Sequence, residues 1–295
     1  MMEKETLGYY LQKARTEKWA LPHFNFSTLD QLHAIVQAAQ ETASPVLVGT
    51  AEKELQFFGA EEAAALVNIY RKRGVAVFLN ADHCKSVQSA IAACEAGYDS
   101  VHIDLSKESF EENVKGTKEV VEFVKKNRPG VQVEGELGYL VTDASKVYKE
   151  KVVIPEDSYP TVENAVRYVK ETSIDRLAPA VGTIHGVVEG APFFEELRMD
   201  LISQLAQALP DITLVLHGGS GVSQDQVKLA ISLGMNNVHI STDLRVVYRA
   251  ALEAALQREQ DAVAPYSYLE PAAAAVRQLA KERLILFGAS GKVKV

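Results

Sequence analysis

Apolar, β-branched runs alternate along the chain with stretches whose apolar positions recur every three or four residues. The runs fall at residues 21–26, 45–48, 75–79, 100–103, 130–135, 176–182, 212–216 and 237–240. Each has the length of a buried strand. Between them lie helical patterns such as TLDQLHAIVQAAQE from Thr28 and SVQSAIAACEAG from Ser86. Strand–helix alternation predicts an α/β protein with parallel strands joined by crossover helices. Eight such units close more naturally into a (β/α)8 TIM barrel than into an open sheet, with a doubly wound sheet as the alternative. A first helix near residues 6–15 is placed to cover the barrel bottom. The apolar helix at 269–279 and the segment ERLILFG read as additional terminal packing elements.

Local signals sharpen the boundaries. Thr28 with Gln31, and Ser223 with Gln226, have the spacing of reciprocal N-terminal caps. Gly97 and Gly234 are placed to stop helices at positive φ. The longest gap between a strand and its helix, residues 138–160, reads as an active-site loop. No linker or compositional break divides residues 1–295, so one barrel domain is expected.

With 31 basic and 39 acidic residues the net charge is −8, which disfavours a nucleic-acid surface but permits a small anionic ligand in one pocket. Two cysteines, Cys84 and Cys94, give no disulfide framework and fit a reducing compartment. No apolar leader or membrane-length run is evident, so a cytoplasmic protein without membrane partners is expected.

Polar chemistry recurs where the strands run out: VFLNADHCKS, VHIDLS, VQVEGELG, LAPAVGTIHG, LVLHGGSG and NVHISTD. In a barrel these ends converge on one face. Six of the seven histidines lie in or just after expected strands. His83, His185 and His217 are the metal candidates, since three imidazoles can hold Zn²⁺ and leave a position open for substrate. Three hydrogen-bonded rim histidines are the competing account. Asp82, beside His83, suits acid–base work or capping of the next helix. Asp104 and Glu136 could form a second carboxylate station or orient the imidazoles, and Glu134 is a weaker candidate of the same strand parity. Cys84 reads as a small packing residue. Gly218, Gly219, Ser220 and Gly221, paired with Ser241 and Thr242 after strand eight, suit a phosphate site, because barrels often hold phosphate between these two loops. Glycines needed for loop shape, with serines as caps, would look the same.

These motifs, taken in order from PHFNFSTLDQL to ILFGASGK, resemble the class II, metal-dependent fructose-bisphosphate/tagatose-bisphosphate aldolase family over nearly the whole chain. ADHCKS, HIDLSKESFEEN, VEGELG, LAPAVGTIHG and LVLHGGSG carry the match. The resemblance implies a TIM barrel and a homodimer or larger homo-oligomer. Asp82 matches the catalytic acid/base, and His83, His185 and His217 match the zinc ligands. Asp104 and Glu136 match acids that bind a second or relocated metal in some members. Gly186, Gly218, Gly219 and Ser220 match ketose-phosphate positions, and His239, Ile240, Ser241 and Thr242 the remaining phosphate-side element.

The implied reaction is zinc-dependent, or other divalent-metal-dependent, reversible cleavage of a ketose 1,6-bisphosphate. Fructose 1,6-bisphosphate, giving dihydroxyacetone phosphate and glyceraldehyde 3-phosphate, is the first expectation. Tagatose 1,6-bisphosphate, another phosphorylated ketose and a non-catalytic metabolite-binding barrel are the alternatives. The chain departs from the family pattern after strand eight, where Asn237 replaces the usual lysine and His239 the substrate-facing asparagine. His23 and Thr28 are also uncommon. The 138–160 loop lacks the usual glycine-rich sequence, and its Lys146, Lys149 and Lys151 read as a solvated face or a weak attraction for phosphate.

Overall fold

The computed structural model describes residues 5–139, 146–149, 152–188 and 196–293. Parts of the expected 138–160 loop, Lys151 among them, lie outside the described residues. In chain order the elements are α1 (Leu7–Glu17), β1 (Leu21–Asn25), α2 (Leu29–Glu41), β2 (Val46–Ala51), α3 (Glu52–Phe58), α4 (Ala60–Lys72) and β3 (Val77–Cys84). Next come α5 (Val87–Ala96), β4 (Ser100–Ile103), α6 (Phe110–Asn127), β5 (Gln132–Leu137), β6 (Val147–Tyr148), α7 (Val162–Thr172), β7 (Arg176–Pro179) and β8 (Val187–Val188). The chain continues through α8 (Met199–Ala208), β9 (Thr213–Leu216), α9 (Gln224–Leu233), β10 (Met235–Ile240), α10 (Thr242–Arg258) and α11 (Pro265–Leu286).

Eight parallel strands close in the order β1-β10-β9-β7-β5-β4-β3-β2. This is the expected TIM-type barrel with flanking helices. A short parallel ribbon, β6 with β8, stands outside it, and two-residue strands of this kind leave no run for a sequence pattern to detect.

Strand periodicity sorts the barrel into two populations. Leu79, Val101, Val133, Leu177, Leu214 and Val238 are fully buried in the apolar core. The alternate positions Asn80, Ser100, Glu134, Arg176 and Asn237 are buried and polar, and bond one another across the barrel. The interior is therefore filled largely by a hydrogen-bonded network. Each buried polar group needs such a partner, because an unmade bond costs about 1–3 kcal/mol.

Terminal elements behave as the apolar pattern implies. Ala272, Val276, Ala280 and Leu284 form a buried stripe of four-residue period on α11, which packs on α2 and α10. Helix α1 packs on β1, β9 and β10 at the strand N-termini, where Asn236 Nδ2 donates to Trp19 O at 3.1 Å. Gly97 and Gly234 cap their helices at φ 106° and 128°.

The two expected reciprocal caps are only partly made. Ser223 accepts from Gln226 N, but the Gln226 side chain instead accepts from Leu197 N at 2.8 Å. Gln31 accepts from Ser27 N at 2.8 Å, while Thr28 makes no side-chain cap. Neighbouring backbone donors outcompete the local ones. Several strand limits also differ from the apolar runs. β3 continues through Asp82 and His83 to Cys84, and β5 through Glu136 to Leu137, because inward positions tolerate charge when the barrel supplies partners. β7 stops at Pro179, which has no N–H to extend the ladder.

Candidate active site

One pocket at the strand C-termini is lined by Asp82, His83, His185, Gly186, His217, Gly218, Ser220, His239, Ser241 and Thr242, together with Asn25, Ala51 and Arg245. Most of the residues selected from sequence therefore meet in one place. Gly219 lies between lining residues, and its N–H donates to His239 O at 3.1 Å. Ile240 is buried in the apolar core, and Asp104 and Glu136 sit behind His83. Lys146 and Lys149 are exposed and do not line the pocket.

In a regular strand, consecutive side chains such as Asp82 and His83 would face opposite sides. Here the β3–β4 register shifts between Ala81 and Cys84, and His83 adopts φ 53°. The irregularity turns both side chains into the pocket. A non-glycine residue in the left-handed region is uncommon, and His83 is retained there by partners on every side. Its Nδ1 lies 2.8 Å from Asp104 and 3.3 Å from Glu136, its N–H donates to His102 Nδ1 at 3.3 Å, and its Nε2 is 4.0 Å from Asp82. Asp104 is further held by Lys85 and by the Ser106 hydroxyl at 2.6 Å.

The His83 ring centroid lies 4.7 Å from that of His185 and 4.6 Å from that of His217, while His185 and His217 are 6.3 Å apart. Donor atoms of Asp82, His83, His102 and His217 fall within 4.8 Å of one another, as do those of His83, Asp104 and Glu136. His185 belongs to neither group, although its ring borders the same space. Asp82 Oδ2 accepts from Asn25 Nδ2 at 3.0 Å. Its Oδ1 has no hydrogen bond, lying 3.5 Å from His239 Nδ1 and 3.7 Å from His102 Nδ1.

Charge completes the picture. Burial and the Asp104 charge would raise Glu136, yet hydrogen bonds from His102 and His83 hold it at about 2. Burial opposes ionisation of Asp82, but His83 and the neighbouring imidazoles bring it well below the usual carboxylate range. Burial would also strip His83 of its proton, but Asp82, Asp104 and Glu136 together raise it well above the ordinary imidazole value. His185, with burial and the His83 charge acting together, is depressed to about 3. Among the described residues, Asp82, Asp104, Glu134 and Glu136 thus cluster with Arg176 and Lys85 as the permanent cations paired to them. Buried imidazoles with surplus carboxylate and an unbonded inward oxygen form a donor set that fits a divalent cation of borderline softness.

Where the loops after β7 and β9 meet, Gly218 takes φ 65°, and a Cβ there would lie 2.3 Å from Ile184 O. Only glycine lets these two loops approach so closely. Ser220 Oγ accepts from Ser241 N at 3.4 Å and Asp243 N at 3.1 Å, tying the β9 loop to the start of α10. Cys84 is buried, and burial reinforced by Glu52 and Asp82 pushes its thiol up to about 12, consistent with packing rather than reactivity.

The interior network includes groups that sequence reading missed. Arg176 was hidden inside an apolar strand pattern; its one visible signal is a strong charge on the face shared with Glu134. Glu54 joins Asn25, Ser27 and Arg245 beside Asp82, at distances of 3.2, 3.0 and 2.6 Å. No local motif marks that cluster, because it is assembled from β1, α3, α10 and the residues following β1.

Comparison with known proteins agrees with this geometry. Residues 5–292 match the family described as fructose-bisphosphate aldolase class-II. The 6-phospho-5-dehydro-2-deoxy-D-gluconate aldolase of Bacillus subtilis (strain 168) is 35% identical over 286 residues, covering 96% of this chain and 94% of that protein. The fructose-bisphosphate aldolase of Geobacillus stearothermophilus is 33% identical over 288 residues, covering 96% of both. Among solved structures, the YdjI aldolase of Escherichia coli K12 superposes with a TM-score of 0.79 at 29% identity, covering 98% of each chain. The chain belongs to the class II fructose-bisphosphate aldolase family. It is an aldolase-type lyase with a buried His/Asp/Glu cluster suited to a divalent metal. No helix among the described residues is long and apolar enough to cross a membrane.

Proposed function

We propose that the chain catalyses reversible aldol cleavage of a phosphorylated ketose, with Zn²⁺ held by His83, His185 and His217 and with Asp82 as acid–base. The observation carrying this reading is the β3 irregularity, which puts an ionised carboxylate and an imidazole side by side in one pocket. When bound there, the divalent cation supplies Lewis-acid polarisation of the ketose carbonyl. Asp82 Oδ1, without a hydrogen bond, is available to take the proton from the hydroxyl on the carbon beyond the bond that breaks. The O–H pair becomes the aldehyde C=O, and the C–C pair passes to the carbon beside the carbonyl. Asn25 orients Asp82 through its other oxygen. Gly186, Gly218, Gly219, Ser220, Ser241 and Thr242 would grip phosphate and so align the bond to be broken. Asp104 and Glu136 hold the outer nitrogen of His83, and their distances also suit a second or relocated cation.

The substrate is the narrower question. Fructose 1,6-bisphosphate carries its ketone beside a phosphorylated terminal carbon, and so does 6-phospho-5-dehydro-2-deoxy-D-gluconate. Cleavage of either releases dihydroxyacetone phosphate; the other fragment ends in phosphate in one case and carboxylate in the other. Relatives named for both substrates match at similar identity, which supports a phosphorylated ketose without singling out fructose 1,6-bisphosphate. His239, stacked on His23 at 3.7 Å where the family usually has asparagine, further favours a modified substrate. Zinc-loaded protein assayed on both compounds and on tagatose 1,6-bisphosphate, with dihydroxyacetone phosphate as the common readout, is expected to cleave at least one. Zinc binding with no cleavage of any would shift the reading to a metabolite-binding barrel.

Metal uptake is expected to release protons. His83 keeps its proton well above the ordinary imidazole value because the charge of Asp82 and bonds to Asp104 and Glu136 outweigh burial. A cation must displace that proton to reach the ring nitrogen. Zinc added to metal-free protein in weak buffer at pH 7 is therefore predicted to acidify the solution, and zinc affinity to fall as pH falls. Uptake without proton release would mean that His83 is either already neutral in the metal-free protein or not a ligand, and His83→Ala with unchanged zinc affinity would remove it from the ligand set.

A further inference from the structure

We infer that Arg176 is a positioning residue for the metal centre, acting through Glu134 on His217; the inference rests on the ligand set just proposed. Arg176 projects from β7 into the barrel and is completely buried. Its Nη1 lies 2.9 Å from Glu134 Oε2 and donates to Asn237 Oδ1 at 2.7 Å. Its Nη2 donates to Asn80 Oδ1 at 3.2 Å and to Ser100 Oγ. Four strands besides its own thus fix one guanidinium.

Glu134 is its register partner on β5, so the two side chains leave their strands on the same face. With Oε2 against the guanidinium, the other oxygen meets His217 Nε2 at 2.7 Å. A carboxylate bound at one end has one orientation left for the other. That oxygen engages Nε2 of His217 and leaves Nδ1 as the nitrogen available to a cation, the arrangement by which outer carboxylates set imidazole tautomers. A planar fork with several donors suits this position, because it can hold a carboxylate while also bonding neutral acceptors on other strands. Asn237 contributes no charge. It accepts from Arg176 and donates to Leu21 O at 2.8 Å, so the interior cation comes from β7 and β10 only braces it.

The test is zinc affinity, measured by competition with a chromophoric chelator on the full-length protein. Arg176→Met and Glu134→Gln are each expected to weaken zinc binding about 10–100-fold, as the loss of an outer-shell partner does elsewhere. Because both act along one line, the double variant is expected to lose no more than the worse single variant. Asn237→Lys added to Arg176→Met returns a cation to the same point and is expected to recover most of the loss. A purely structural role would lower melting temperature, leave zinc affinity unchanged in the folded protein and give no recovery. Arg176→Met binding zinc as tightly as the parent overturns the inference. If that variant does not fold, Glu134→Gln decides, with parental affinity again overturning it. A parent that takes up no zinc overturns the ligand set and this inference together.

Discussion

Asp82→Asn is expected to lower turnover by about 10²–10⁴ while leaving zinc content intact. The substitution nearly preserves shape, and Asn25 Nδ2 can still donate to the retained amide oxygen in place of Oδ2. What disappears is the basic oxygen facing the pocket, so the proton has no acceptor when the carbon–carbon bond breaks. The loss is expected in kcat, with KM little changed, since an interaction made only as the proton moves does not hold the ground state. Steady-state kinetics with metal analysis on the same sample checks this. Turnover near that of the parent would take Asp82 out of its assigned role.

Removal of the divalent cation is expected to cost on the order of a thousandfold or more in cleavage rate, because Lewis-acid stabilisation of developing charge is worth several kcal/mol. Zinc added back restores the rate. The ground lies in the site's own charge. Among the described residues, Asp82, Asp104, Glu134 and Glu136 draw together around the imidazoles with Arg176 and Lys85 paired to them, and a carboxylate is a base that cannot itself polarise a carbonyl. Full turnover in protein verified to be metal-free would contradict the mechanism and direct attention to a lysine-based one.

The sequence discloses the barrel because each strand is a compact apolar run and each helix a periodic one. It discloses the pocket because the histidines, acids and glycines cluster at the ends of those runs. The hidden part lies inside the barrel. Arg176 sits where the pattern reads apolar strand, and its partners Glu134, Asn80, Ser100 and Asn237 come from four other strands, so no local spacing links them. Asn237 looked from the sequence like the loss of a positive charge; in the fold, a guanidinium from β7 occupies that neighbourhood. The β3 irregularity was hidden for another reason. ADHC contains neither glycine nor proline to announce it, and His83 is kept in a left-handed conformation by tertiary contacts.

That kink also bears on how such a centre can be rebuilt. A straight strand offers alternate residues to the cavity, so a designer copying only the Asp-His dipeptide onto another scaffold would present the acid or the imidazole, never the two as neighbours. Grafting the chemistry therefore requires grafting the bend and the acids that brace it, and single-residue insertions or deletions in this stretch will exchange which partner is turned outward.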